Sequence, residues 1–433
     1  MLIQVLPRRS APAWRGRACS LYGVLPVKIL MVTPDPEGGI YHYSHELCRG
    51  LAEAGEEVVL VTSAAHEFAD LQAAFRIATP FRLGARGILS SPLSRRVGIK
   101  RVASGVRYVL ALVRTAVICR RERPDVVHVQ GLFGSVLGYA SLWFLARVCG
   151  KPIVNTVHNV APRRRFIGYR LVGRQTLRVL DAVIVHSHRG HETLRRIYGR
   201  LPAVVCVIGT VGLQAFAERA DVERTVSLRG WGLGPDARVV LFFGFIKPYK
   251  GLDQLLRAFN VVCTRIKNAY LFVVGEPREP FERYQKLIRE LGIEQRVVVQ
   301  LGYVPSSAVA RYFGIADVVT LPYVNDEAID QSAVAQLAYA FSRPLVVTDV
   351  GGLSEMVRDG QTGYIVPPGR VNELANRLVD ILSDPSRAQE MGRSGHQLVD
   401  SLKHSQSTSA RHIECYRAAI GRGNAPGEGI GSR

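Results

Sequence analysis

The chain is predicted to be an α/β protein of two Rossmann-like domains in tandem, on three observations. It has 433 residues, 47% hydrophobic and 21% charged, enough for two globular domains of about 200 residues, each with its own core. Short runs rich in β-branched and aromatic residues, such as residues 27–33 and 239–243, are apolar without alternation, the pattern of strands buried on both faces of a parallel sheet. These runs alternate with helical periodicities, and glycines mark the joints, the βαβ rhythm of doubly wound sheets.

The most informative joint follows residues 239–243. The chain turns at Gly244, Lys247 and Lys250 flank Pro248, and Gly251 precedes a helix marked by Leu252, Leu255, Leu256 and Phe259. Two ammonium groups and a helix N-terminus converge beyond a strand's carboxyl end, where open α/β sheets bind ligands, so a phosphate would be stabilised there. Spacing alone also allows a solvated loop with two surface lysines. The stretch is similar to the G-x-x-x-P-x-K-G loop of family 4 glycosyltransferases, retaining enzymes of the two-Rossmann B fold (GT-B), whose two domains face each other across a cleft. The resemblance implies that Lys250 holds a donor diphosphate. The arginine that the family carries after the glycine is here Phe245, and Lys247 is the nearest replacement, without the bidentate fork of arginine.

In chain order, residues 1–26 form a basic extension with no acid before Asp35. Its apolar stretches are too short for a membrane span or a signal-peptide core, so it is expected to be a disordered tail or an over-extended start of translation. Residues 27–212 are expected to be the acceptor domain. Its first strand leads through Gly38 and Gly39, where backbone approaches a ligand closely, into a helix bearing Ile40, Tyr41, Ser44, Leu47 and Leu51. The Gly-Gly loop resembles the family loop that closes over the donor phosphates. Residues 57–62 read as a strand, 110–119 as a helix and 124–130 as a strand. Residues 131–146 are apolar but shorter than the about 20 residues a span needs, and read as a buried helix. The strand at 152–159 ends in Thr156-Val157-His158-Asn159, similar to the family segment whose histidine contacts the transferred sugar, so His158 is preferred to His128; a lone histidine is also compatible with a structural hydrogen bond.

Residues 209–212 resemble a worn form of the family hinge, and 213–236, with several glycines and charges, read as a linker. Residues 237–400 are expected to form the donor domain. Gly302, Tyr303 and Val304 match the loop that seats the nucleobase, and residues 344–355 resemble the family's P-V-V-A-S-D-V-G-G-x-x-E, placing Glu355 to orient the donor or buttress its loop. A helix at 401–420 is expected to cross back to the first domain, before a tail at 421–433. The family's paired glutamates are absent, Ile329 and Leu337 standing at their positions. The segment resembles a sub-branch with Q-S-G-V-L-Q-L-A-Y-A: Gln331 and Ser332 would open a helix, Ser332 as its cap, with N–H groups toward the diphosphate. Glu327, Asp330 and Gln336 are further candidates for sugar or ribose hydroxyls, though Asp326, Glu327 and Asp330 equally suit a solvated acidic loop.

The formal charge is +20, and residues 1–212 hold 30 Lys+Arg against 12 Asp+Glu. Such a field favours a polyanion, and with no nucleic-acid motif or interleaved aromatic platform an anionic membrane surface is preferred to nucleic acid. A merely basic soluble protein has the same composition. Seven scattered cysteines without C-x-x-C suggest neither zinc nor a disulfide framework and fit a reducing cytoplasm. The resemblance implies a retaining hexosyltransferase using a nucleotide-diphosphate sugar, with no cofactor; no D-x-D offers a metal site, and the basic first domain points to a lipid-linked or cell-surface glycan as acceptor, met at the inner membrane face. The competing readings are a catalytically degenerate B-fold binder and a nucleic-acid-binding protein.

Overall fold

The computed structural model describes residues 25–69, 73–81, 98–161, 166–209, 223–324, 330–403 and 405–423. The expectations for residues 1–24, for Thr210, Val211 and Gly212 of the hinge, and for Asp326 and Glu327 fall outside them.

The first sheet starts with β1 (Lys28–Val32), buried along its last four residues because helices cover both its faces. The chain continues through α1 (Gly39–Glu53), β2 (Glu57–Ser63), β3 (Arg76–Phe81), α2 (Gly98–Glu122), β4 (Val126–Gln130), α3 (Val136–Cys149), β5 (Ile153–Thr156), α4 (Tyr169–Arg178), β6 (Ala182–Val185), α5 (His188–Tyr198) and β7 (Val204–Val207). All pairings are parallel, in the order β3-β2-β1-β4-β5-β6-β7.

The second sheet repeats the plan: α6 (Arg224–Arg229), β8 (Arg238–Phe243), α7 (Leu252–Arg265), β9 (Ala269–Gly275), α8 (Glu282–Glu290), β10 (Val297–Leu301), α9 (Ser306–Phe313), β11 (Val318–Leu321), α10 (Ala333–Ala340), β12 (Leu345–Thr348), β13 (Gly363–Val366), α11 (Val371–Ser383), α12 (Pro385–Lys403) and α13 (Ser405–Gly423). Its order is β10-β9-β8-β11-β12-β13, again parallel. Strand order reverses at β1/β4 and at β8/β11, the switch points where doubly wound sheets open a crevice. The protein is thus α/β with two Rossmann-like sheets.

Three expectations need adjustment. The helix expected at 110–119 extends over all of α2, because apolar periodicity fades where arginines begin although helix propensity does not. The apolar run at 131–146 is not a wholly buried helix: α3 lies in the outer layer, with Val136 and Trp143 exposed on the face turned from the sheet. Residues 224–236 are no free linker. Arg224 pairs with Asp317 at 2.7 Å, Leu228 is buried, and Trp231 packs edge-on against Phe272 under the Arg311 guanidinium.

Helix α13 ties the sheets together by lying against α1 and the first sheet. Its apolar residues Ile413, Cys415, Tyr416 and Ala419 join Tyr41, Tyr43 and Leu47 in a core cluster that continues into the second sheet. Polar bonds fix its register: His412 donates from Nδ1 to Thr408 O, so its Nε2 accepts from Tyr43 OH at 3.0 Å, and Tyr416 OH meets His128 Nδ1 at 2.7 Å. No helix among the described residues is long and apolar enough to cross a membrane.

The His128–Tyr416 bond is fully buried, so Tyr416→Phe leaves an imidazole nitrogen without its partner. Urea unfolding should show a loss of about 1–3 kcal/mol; an unchanged midpoint would mean that the crossing helix is held by apolar contact alone.

Candidate active site

The crevice between the two switch points is a cavity lined by both domains. Its floor comes from the β8–α7 joint. Gly244 has φ +95°, the chain makes a 3-10 turn at Pro248–Lys250, and Gly251 has φ +68°. A Cβ on Gly251 would lie 1.9 Å from Pro322 O, so both conformation and space require glycine. The turn folds Lys250 inward: it is 7% exposed, lines the cavity and holds its ammonium 5.3 Å from the Tyr323 ring centroid. Lys247 is not brought to the cavity. It opens the turn with its ammonium 5.4 Å over Phe245, whose ring also stacks with Arg278 at 4.4 Å. Phe245, standing where the arginine was expected, draws Lys247 aside by a cation–π contact.

Two helix N-termini meet over this floor. Gly38 (φ +82°) starts α1 without a side-chain cap, and Ser332 starts α10, also without one. They nearly touch, since a Cβ on Gly39 would lie 3.2 Å from Ala333 Cβ. Ser332 therefore holds the expected cap position but not the capping bond; its hydroxyl turns to Tyr323 OH at 3.3 Å. Neither helix has an acid in its first turn. The uncapped N–H groups and the two dipoles give positive potential suited to an anion.

The other walls include His158, Gly302, Tyr303 and Gln331. His158 stands at the carboxyl end of β5 with both ring nitrogens engaged, Nε2 with Gln130 at 2.9 Å and Nδ1 with His186 at 3.2 Å. Burial and the neighbouring His186 hold its pKa well below the usual imidazole value, so it is neutral. His128 is buried beneath, bonded to Thr156. Gln331 donates to His186 O at 2.8 Å, while its Oε1 is buried with no partner among the described residues.

Three candidates lie elsewhere. Glu355 does not line the cavity: its two oxygens accept from His188 N at 2.8 Å and Arg189 N at 2.7 Å, capping α5 of the opposite domain. That is the buttressing role, made necessary because α5 begins at the interface. Asp330 is completely buried and accepts from His186 N and Ser187 Oγ of the first domain; burial raises its pKa despite these bonds. Gln336 is buried within α10 away from the cavity. Glu327 lies outside the described residues. Among those residues no group of three or more His, Cys, Asp or Glu is placed to hold a metal ion.

Sequence reasoning missed the pair His42 and Glu67. His42 lines the cavity one turn after Gly38, and its Nε2 meets Glu67 Oε2 at 2.6 Å. The same carboxylate accepts from Tyr303 OH at 2.9 Å and from Ser306 N at 2.9 Å, at the start of α9 in the second domain. Burial alone would raise the Glu67 pKa, but the His42 hydrogen bond and charge, with those from Tyr303 and Ser306, bring it from 4.5 down to about 2. Burial and the charge of Glu67 push the Tyr303 phenol up, so it remains a donor. The spacing of His42 from the glycine pair was a usable signal; Glu67, in a loop of no pattern, gave none.

Two family descriptions match the chain. "Glycosyl transferase 4-like domain" covers residues 38–210 and "Glycosyl transferases group 1" covers residues 237–384. The chain is 27% identical over 413 residues to a D-inositol 3-phosphate glycosyltransferase of Kribbella flavida, covering 88% of this chain and 91% of that protein. It is 28% identical over 415 residues to the protein of that description from Pseudarthrobacter chlorophenolicus, covering 89% and 91%. Among solved structures it resembles sucrose-phosphate synthase from Thermosynechococcus elongatus, with TM-score 0.70 and 22% identity over 91% of this chain and 99% of that one. It also resembles Anabaena HepE in complex with UDP and glucose, with TM-score 0.68 and 16% identity over 90% and 100%. These likenesses carry the GT-B fold.

The depressed pKa of Glu67 gives a pH signature. Its contribution to stability is complete above the ordinary value of 4.5 and is lost as pH falls toward about 2. Thermal unfolding of Glu67→Gln should fall below the wild type by a constant margin at neutral pH, and the margin should shrink once pH drops below about 4.5. A margin independent of pH would refute an ionised cross-domain bond.

Proposed function

The chain belongs to the group 1 glycosyltransferases and is a hexosyltransferase, and from that premise we propose that it transfers a sugar, with retention, from a nucleoside-diphosphate sugar bound in this cavity. The observation that carries the proposal is the convergence of Lys250 with the uncapped N-termini of α1 and α10, three positive ends fitting one diphosphate. The nucleobase would lie by Gly302, Tyr303 and Val304, and the sugar toward His158, whose engaged nitrogens make it a wall rather than a hydrogen-bonding partner. Gln331 lines the same cavity and would border the donor there. Lys247 supports the turn through Phe245.

In the proposed step the bond from the anomeric carbon to the diphosphate oxygen breaks, its electrons going to the leaving group. The acceptor oxygen bonds to the same face, and its proton passes to the leaving phosphate. Lys250 and the helix ends stabilise the charge that develops there, so the step needs no protein nucleophile. The acceptor we propose is a lipid-linked or cell-surface glycan, reached by a cytoplasmic enzyme peripheral to the membrane; the basic first domain supports it. A second reading, a small phosphorylated polyol, is favoured by the D-inositol 3-phosphate in the relatives' names. Transfer assays with both acceptor classes separate the two.

The donor site is tested by thermal shift with UDP, GDP, ADP and their sugar conjugates. A ligand at 100 times its dissociation constant should add about 2.7 kcal/mol. One base is expected to win, and Lys250→Ala is expected to lower kcat/KM by about 100-fold or more. No shift with any nucleotide would make a degenerate binder the better description.

A further inference from the structure

Helix α2 has two apolar faces where a helix on a sheet needs one. Tyr108, Ala111, Leu112, Ala116 and Cys119 are buried against the sheet. Val106, Val109, Leu110, Val113 and Val117, at i, i+3, i+4, i+7 and i+11, form a second stripe that is exposed. Arg107, Arg114 and Arg121, seven apart and exposed, run along one margin of that stripe.

The neighbouring helices repeat the pattern. On α3, which packs beside α2, Val136 is 63% exposed and Trp143 shows its ring while its indole N–H donates to Thr176 of α4 at 3.0 Å. At the start of α4, Ile167 is fully exposed and Leu171 is 62% exposed, between Arg170 and Arg174. Of the fifteen large apolar side chains exposed among the described residues, ten lie on these three helices or the turn leading into α4, which makes the clustering a property of one face. The three helices carry one acid, Glu122, already paired with Arg76 and Lys28.

We propose that this outer face of α2, α3 and α4 docks on an anionic lipid bilayer, its apolar stripe entering the headgroup boundary and its arginines meeting lipid phosphates. Charge complementarity selects the occupant. A protein partner's apolar patch leaves the arginine margin unpaired, and nucleic acid leaves five aliphatic side chains in water, whereas a bilayer of anionic lipids satisfies both and suits an amphipathic indole at its boundary. The topology adds orientation. Each crossover helix runs back from the carboxyl ends of the strands, so Val136, Ile167 and Leu171, at the starts of α3 and α4, lie at the rim of the cleft. A docked enzyme holds the cavity mouth beside the lipid headgroups. The inference deepens the membrane-borne acceptor reading, resting on it for its purpose and not for its evidence.

Co-sedimentation of the full chain with vesicles of equal parts phosphatidylglycerol and phosphatidylcholine tests it without donor or acceptor. Binding is expected, weak on pure phosphatidylcholine and reduced by salt. The pair Arg107→Gln and Arg114→Gln should weaken it by about tenfold or more, each basic residue near such a surface contributing about a factor of five. Leu110→Ser with Val113→Ser should also weaken it, with melting temperature unchanged, while Lys250→Ala should bind as the wild type does. The proposal is overturned if the chain ignores the vesicles or binds only RNA. It is overturned too if the serine variant binds undiminished, melts early because the stripe is covered within the fold, or turns a dimer into a monomer on size exclusion. Docking together with transfer only to a soluble polyol phosphate would refute the acceptor reading and leave the docking face standing.

Discussion

The constraint on which the site depends is that two parallel sheets point their carboxyl ends at one another. Every crossover helix then begins at the cleft, and each beginning brings N–H groups with no partner in its own helix. Some starts are capped within their own domain, as by Ser135 on α3 and Ser187 on α5. Where the domains touch, a carboxylate from one side caps a helix of the other: Glu355 on α5, and Glu67 on the start of α9. At α1 and α10, whose starts face each other closely across the cleft, no side chain caps and no acid follows. The cross-domain caps hold the halves together, while the starts of α1 and α10 keep backbone N–H groups that no side chain caps.

Glycine is what lets the uncapped ends approach so closely. At Gly39 and Gly251 a Cβ would meet Ala333 Cβ or Pro322 O, and at Gly244 it would crowd the Lys250 ammonium at 3.3 Å. The cavity floor is therefore formed by backbone and one buried cation, with polar side chains such as His42, Glu276, Tyr303 and Gln331 on its walls. Such a lining recognises charge and shape.

The strands were legible because burial on both faces writes an unbroken apolar run into the sequence: β1, β4, β8 and β12 stand close to where composition puts them. Strand β3, with a half-exposed Arg-Ile-Ala-Thr at the sheet edge, carries no such signal and escaped notice. The cavity was partly legible, since Gly38, Gly39, Gly244, Lys250, Gly302 and Gln331 sit at strand ends marked by glycine or by motif. What was not legible depends on the opposing domain. Glu355 and Asp330 look like ligand-binding acids from their own loops, and only the helix start each one faces shows that their oxygens are engaged. Lys247 was misplaced for a local reason, the pull of the Phe245 ring.

The closing contacts also bear on how the cavity works. Glu67 holds His42 from the first domain and Tyr303 from the second through one oxygen, so two cavity walls contributed by different sheets share a single carboxylate. Their separation is then fixed by hydrogen bonds a few ångströms long rather than by the packing of remote cores. A ligand entering between them meets a preorganised gap, and the ordering cost of forming it falls on folding instead of on binding. That saving acts on every bound state alike, so it would tighten binding of any ligand that fits the gap without itself singling out a transition state.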